Sequence, residues 1–356
     1  MLETDAEVDR RDFTVRAALS VAQGERLALF GPSGAGKTTV LEMIAGLVQP
    51  RRALIMLGGR VLTSTGKPAT VLPPWQRGVG LLRQDPGLFP HLTVRANLLY
   101  GRASGPLHDG SAHAAAAAEL AELAGVLGIG DLLQAMPARL SGGQAHRVAL
   151  GRLLLSHCGA LLLDEPYTGL DANLRRTLTD LVVSLVAERD VPSILVAHEL
   201  AEAQAFADRL AVLDRGEVLQ TGAPGEVVLD PATRRVAELV GYASFVPAAQ
   251  PPDAAARVAA IHPDRVVAGN YPERGLVLHG VITACRPAGA LWEITVQTGD
   301  AVVTGRFAEP APIGQDLAIT ALDPPVFGPD GERARSSAGG AAGEQHGHTG
   351  HSRVRR

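Results

Sequence analysis

Gly31, Gly36, Lys37 and Thr38 form the pattern G-x-x-x-x-G-K-T directly after an apolar run at residues 27–30 and directly before a helical pattern. That order constrains the fold most, because a buried strand that turns on glycines into a helix aims the helix's free N–H groups at the turn. Glycines let the backbone curl around a phosphate, Lys37 reaches its β and γ oxygens, and Thr38 offers a hydroxyl to Mg²⁺. Gly31, Pro32, Ser33, Gly34, Ala35, Gly36, Lys37, Thr38 and Thr39 are therefore the candidate phosphate-binding residues. Val40, Leu41, Ile44, Leu47 and Val48 make a stripe on the same helix, which predicts packing and not chemistry.

Short apolar runs at residues 27–30, 160–163, 193–197 and 210–213 alternate with helical patterns, among them residues 174–186. This predicts an α/β fold of the P-loop NTPase kind, with helices packed on a mainly parallel sheet. The alanine-rich residues 112–127 lie in a stretch with no strand-like run, so a separate helical lobe is expected over about 85–158. Prolines break the pattern near 247–253. The expected division is an ATP-binding domain at 1–246, a linker at 247–256 and a small OB-like β-barrel at 257–327. The barrel expectation rests on alternating segments at 277–283, 291–297, 302–307 and 317–321 between turn residues. Residues 328–356 hold almost no large apolar side chains and are expected to be a disordered tail, in which His346, His348 and His351 read as solvated.

With 356 residues the chain is long enough for two domains, and a formal charge of −4 without a basic block argues against a nucleic-acid partner. Cys158 and Cys285 are far apart without metal-ligand spacing, which suits free thiols in a reducing compartment. No apolar run approaches the roughly 20 residues that span a bilayer. The acidic N-terminus, with Glu3, Asp5, Glu7 and Asp9, lacks the cationic start of a signal peptide. The expectation is a chain that stays inside the cell, so any crossing of a membrane falls to another subunit.

Leu161, Leu162 and Leu163 lead into Asp164 and Glu165, placing two carboxylates at the end of a buried strand, where sheets of this kind put their ligand crevice. Asp164 reads as the Mg²⁺-side acid of a Walker B element. Glu165, expected on the opposite strand face, reads as the group that polarises the attacking water.

Leu140, Ser141, Gly142, Gly143 and Gln144 precede these acids and read as a second helix N-terminus able to hold an anion. With this pentapeptide the chain resembles the ABC ATPase family. The resemblance extends to Gln84 as the Q-loop glutamine, residues 169–171 as the D-loop and His198 as the switch histidine. It implies that Gln84 senses Mg²⁺ and the lytic water, that His198 contacts the γ-phosphate, and that Asp171 communicates across a dimer. It also implies ATP and Mg²⁺ as ligands, and a homodimer in which Ser141, Gly142, Gly143 and Gln144 of one copy face the loop of the other. Arg83 stands where the family more often has an aromatic residue, and Ala145 where it has Gln or Arg. Phe13 reads equally as core packing or as the contact to the base.

Residues 72–84 and 88–94 resemble importer ATPases of the oxyanion, iron and polyamine types. The short N-terminal hairpin, the loop at 30–36 and residues 94–101 look closest to those for molybdate, and Ile261, His262, Pro263 and Asp264 open a segment similar to a TOBE-type accessory barrel. The resemblance implies an ATP-hydrolysing importer subunit at the cytoplasmic face of the membrane, working with permease subunits and, indirectly, an extracytoplasmic substrate-binding protein. Sulfate or thiosulfate, iron and polyamine importers are the alternatives within the family. A soluble, non-transport ABC ATPase is the alternative outside it, opposed by the single ATP domain and by the lack of a long coiled coil or basic stripe.

Overall fold

The computed structural model describes residues 1–102, 110–248 and 257–334, with the backbone alone at 102 and 110–116. It divides into two units, Met1–Gly241 and Tyr242–Arg356.

The first unit opens with a hairpin of β1 (Leu2–Asp9) and β2 (Thr14–Val21), followed by β3 (Arg26–Phe30) and α1 (Lys37–Ala45). Next come β4 (Arg52–Leu57), β5 (Arg60–Ser64), β6 (Thr70–Val71) and β7 (Val79–Leu82). Helices α2 (Val94–Leu99), α3 (Gly110–Val126) and α4 (Gly142–Leu155) follow, with α4 packed against both of the others. The chain then alternates through β8 (Ala160–Asp164), α5 (Ala172–Arg189), β9 (Ser193–Val196), α6 (Leu200–Phe206), β10 (Arg209–Asp214) and β11 (Glu217–Gly222), before α7 (Pro224–Leu229) and α8 (Arg234–Leu239).

The four apolar runs become neighbouring strands of one sheet, in the order β11-β10-β3-β9-β8-β7. Every pairing from β10 to β7 is parallel, and β11 adds an antiparallel edge. Strands buried on both faces need near-continuous aliphatic sequence, which is why these runs were legible. A second sheet, β2-β1-β4-β5-β6, is antiparallel throughout and was not anticipated beyond its first hairpin. Its signal was available in Gly58 and Gly59, whose φ values of 57° and 78° turn β4 into β5 as a two-residue hairpin demands.

Helix α1 contributes Val40, Leu41 and Ile44 to a core shared with Ile55 and Leu62 of the antiparallel sheet and with Leu29, Leu162 and Ile194 of the parallel one. The helix ends sooner than the expected stripe implied, although Val48 still packs on this core. Gly46, with φ 81°, terminates α1, and Leu47 beyond it is 49% exposed.

Arg77 fixes that helix end. Its side chain is buried with no carboxylate among its hydrogen-bond partners: Nη1 donates to Met43 O (3.1 Å) and Ile44 O (2.9 Å), Nε to Leu72 O (2.9 Å), and Nη2 to Thr63 Oγ1 (2.8 Å). Burial pushes its pKa down, while the carbonyl end of α1 supplies the compensating negative dipole. A Cβ at position 46 would lie 2.3 Å from Arg77 Nε, so Gly46 is needed for space as well as for its φ.

The second unit holds β12 (Ser244–Pro247), β13 (Val258–Ile261), β14 (Val266–Ala268), β15 (Gly275–Ala288), β16 (Leu291–Thr298), β17 (Ala301–Phe307), β18 (Asp316–Leu322) and β19 (Val326–Phe327). The order β14-β18-β15-β16-β17 makes a five-stranded antiparallel sheet, and β12-β13-β19 a smaller one. The larger sheet curls until β17 approaches β14, where a Cβ on Gly305 would lie 2.9 Å from the Cβ of Val266. Val266, Ile282, Ile294, Val296, Val303 and Ile319 fill its interior, an arrangement consistent with an OB-like domain.

Two boundaries move from those read in the sequence. The division falls after Gly241 because Ser244–Pro247 pairs with Val258–Ile261, so the end of the segment expected in the first domain belongs to the second unit. Residues 328–334, expected in the tail, turn back so that Ala334 N donates to Val326 O (2.8 Å). The rest of the expected linker, 249–256, and of the tail, 335–356, including its three histidines, lie outside the described residues.

Arg77→Ala should lower stability by about 3 kcal/mol in urea denaturation, since it leaves buried carbonyls unpaired and a void beside α1. Arg77→Lys should recover only part, because a point charge cannot serve acceptors arranged around a planar fork. A loss below about 1 kcal/mol for Arg77→Ala would show that Met43 and Ile44 carbonyls find other partners.

Candidate functional site

The site grows from the way β3 enters α1. Gly31 has φ 153°, and a Cβ there would lie 1.9 Å from Leu213 O, so the first loop position admits only glycine. Gly36, with φ 106°, is the N-cap of α1 and offers no side chain to it, and the first turn carries no acid. A helix start without a cap leaves its N–H groups for an anion. Between them, Ala35 N donates to Pro32 O (3.1 Å), Ser33 and Gly34 are exposed at the rim, and Gly216 N donates to Ala35 O (2.8 Å) to tie the loop to the β10–β11 turn.

Lys37 is buried, and its Nζ donates to Gly31 O (2.7 Å) and Pro32 O (3.0 Å). Burial pushes its pKa down, partly opposed by the nearby Glu165 and Asp164. A buried ammonium held by two carbonyls at a helix N-terminus is a cation with affinity to spare for a phosphate chain.

The acids stand on the other side of the same helix start. Asp164 ends β8 and is buried, and Thr38 Oγ1 donates to its Oδ1 (3.2 Å). Burial raises its pKa, with Glu165 and Glu42 adding to the rise and Thr38 and Lys37 opposing it. A hydroxyl and a carboxylate this close are an oxygen donor set of the kind Mg²⁺ takes beside phosphates.

Glu165 departs from expectation. The strand stops at Asp164, and Glu165 takes the left-handed conformation, φ 50°, so its direction is set by a sharp turn and not by strand alternation. A non-glycine residue held there is strained, a state that concentrates at functional positions. The turn brings its Oε2 within 3.3 Å of Gln84 Nε2 and 3.5 Å of Thr168 Oγ1. Gln84, exposed just beyond β7, therefore meets Glu165, while no hydrogen bond joins it to Asp164 among the described residues.

Other candidates are positioned separately. Ser141 caps α4 in a reciprocal box: Gln144 N donates to Ser141 Oγ (3.2 Å) and Ser141 N donates to Gln144 Oε1 (2.8 Å). A Cβ on Gly143 would lie 3.8 Å from Gly169 O, so this corner borders the turn before α5. Among the described residues no hydrogen bond links residues 141–144 to the loop at 31–39. Asp171 caps α5, its Oδ1 accepting from Asn173 N (3.1 Å) and Leu174 N (3.0 Å). His198 is exposed after β9, and its N–H donates to Glu202 Oε2 (3.2 Å), a carboxyl whose pKa burial raises. Phe13 is half-buried and packs against the core beside Gly216.

Sequence reasoning overlooked Arg10 at the tip of the β1–β2 hairpin. Its Nη2 and Nε donate to Thr39 Oγ1 (3.0 and 3.2 Å), and Nη2 lies 3.6 Å from Glu42 Oε2. Nothing in the local sequence announces this, because the approach depends on the antiparallel sheet carrying the hairpin to α1.

The family described as ABC transporter matches residues 15–168. The sulfate/thiosulfate import ATP-binding protein of Chromobacterium violaceum is 42% identical over 233 residues, covering 65% of this chain and 60% of that protein. The Fe(3+) ions import ATP-binding protein of Mesorhizobium japonicum is 40% identical over 231 residues, covering 65% and 61%. The molybdenum import ATP-binding protein of the same organism is 41% identical over 218 residues, covering 61% and 56%. The chain thus spans less than two thirds of the length of these curated relatives. Among solved structures, an ATP-binding subunit of an ABC transporter superposes with a TM-score of 0.55 at 25% identity, over 68% of this chain and 95% of that one. A dimeric ATP-binding cassette in a post-hydrolysis state, bound to ADP and Pi, gives 0.54 at 24% identity over 63% and 99%. The N-terminal part of this chain, with its uncapped loop, paired acids, helical lobe and antiparallel sheet, thus carries the domain that the ABC transporter family model matches over residues 15–168.

Proposed function

We propose that this chain is the ATP-hydrolysing subunit of an importer. The observation that carries the reading is the pair of contacts around the start of α1, Thr38 to Asp164 on one side and Gln84 to Glu165 on the other, beside a buried Lys37. Residues 31–39 hold the phosphates through N–H groups and Lys37, and exclude water by enclosing them. Thr38, Asp164 and Gln84 would hold Mg²⁺, which neutralises charge on the β and γ oxygens when bound. Glu165 accepts a proton from the attacking water and Gln84 orients it, while His198 approaches the γ-phosphate from the end of β9.

One chain carries one loop at residues 31–39 and one capped helix start at Ser141, Gly142, Gly143 and Gln144. The reading assigns them to opposite halves of a head-to-tail homodimer, closed by a two-fold axis into two equivalent sites. Asp171 lies beside that junction. The likeness to import ATP-binding proteins supports permease subunits that carry the substrate, with this chain at the cytoplasmic face. An extracytoplasmic binding protein would deliver the substrate.

The substrate we favour is molybdate. What supports it is the likeness of residues 72–101 to molybdate-importer ATPases, with a molybdenum importer among the relatives. Sulfate is the second reading, since a sulfate/thiosulfate importer is equally similar.

Lys37→Ala should weaken ATP binding at least tenfold, and Glu165→Gln should retain ATP while hydrolysis falls by roughly two orders of magnitude or more. Calorimetry and a phosphate-release assay separate these effects, and normal turnover in Glu165→Gln would remove that residue from its role. Deleting the gene should abolish high-affinity uptake of labelled molybdate and spare that of iron and polyamines. Intact molybdate uptake with lost sulfate uptake would select the second reading.

A further inference from the structure

We infer that Arg10 is a nucleotide-binding residue: its guanidinium, anchored on Thr39, takes the α-phosphate of the triphosphate. The inference rests on the nucleotide site proposed above. Thr38 and Thr39 are adjacent on α1, so their side chains leave the helix about 100° apart. Thr38 points to Asp164, the side of the metal and of the γ-phosphate. Thr39 meets Arg10 instead, on a different side of the helix from Asp164.

The two hydroxyls are polarised in opposite senses. Thr38 gives its proton to Asp164 Oδ1, which leaves its oxygen lone pairs for a cation. Thr39 accepts from Nε and Nη2 of Arg10, which leaves its own proton free to donate to an anion. Thr39 lies in the first turn of α1 and is buried, so bulk water competes little for that hydroxyl.

Arg10 is also restrained. Its backbone N–H donates to Phe13 O (2.9 Å) across the hairpin tip. Glu42, one turn beyond Thr38, lies 3.6 Å from Arg10 and 3.6 Å from Arg83, the residue before Gln84. A surface ion pair alone contributes little. An arginine that spends two donors on one threonine still has N–H groups to offer, in the planar geometry that suits phosphate. Phe13, the aromatic residue of the same tip, is packed on the core, so phosphate contact is the recognition this hairpin offers from its exposed side.

The test uses the purified full-length chain, titrating ATP with Mg²⁺ and the two diastereomers of ATP bearing sulfur on the α-phosphate. Arg10→Ala should raise the Kd for ATP about tenfold, the loss of one charge-assisted contact to phosphate. The wild-type preference between diastereomers should collapse in Arg10→Ala and return in part in Arg10→Lys. Thr39→Val should reproduce the loss, and the double variant should bind no more weakly than either single one. An unchanged Kd in Arg10→Ala, or a raised Kd with the diastereomer preference intact, would overturn the inference. Lys37→Ala separates the two readings: if it abolishes binding while Arg10→Ala does not, only the role of Arg10 fails, whereas a wild-type chain that binds no ATP removes the nucleotide site itself.

Discussion

The structure depends on one helix start left without a cap. Gly36 gives α1 no side chain to satisfy its first N–H groups, and Lys37 is buried beside them with only carbonyl partners. Such an arrangement costs free energy in a lone protein, because orphan donors and a desolvated cation both favour solvent. It persists because α1 is gripped elsewhere. Its apolar face is shared by two sheets, and Arg77 clamps its carbonyl end from a buried position. Rigidity at one end of the helix is what allows reactivity at the other.

The starts of α4 and α5 are built differently. Ser141 and Gln144 satisfy α4 reciprocally, and Asp171 satisfies α5 with one carboxylate oxygen. Each cap satisfies part of its helix start, and the two exposed corners lie close together near Gly143 and Gly169. Only α1 among these three has no side-chain cap. The same logic separates the hydroxyls of Thr38 and Thr39, one donating to an acid and the other accepting from an arginine, so that neighbouring residues are prepared for opposite charges.

The central sheet was legible because strands buried on both faces must be largely aliphatic, as residues 160–163 and 194–197 are. The loop was legible because Gly31, Gly36 and Lys37 answer to steric and electrostatic demands that few other residues meet. The antiparallel sheet was harder to see. In β1 the inward Leu2, Thr4, Ala6 and Val8 alternate with acids, and a strand with one wet face looks merely polar when its charges are read first. The direction of Glu165 was misjudged because alternation holds only while the backbone stays extended, and the strand ends one residue before it. Arg10 and Arg77 act over distances of 29 to 34 residues in sequence, through contacts that only the assembled sheets create.

The central claim is that the uncapped α1 and the capped α4 belong to one nucleotide site made by two copies. Mixing a Lys37→Ala chain with a Ser141→Arg chain, each inactive alone, tests it directly. If the sites are shared, a hybrid dimer places both lesions in one site and leaves the other intact, so isolated hybrids should trap ATP and recover up to about half of the hydrolysis, for independent sites. Hybrids that demonstrably form yet trap no more nucleotide than either parent would contradict the account.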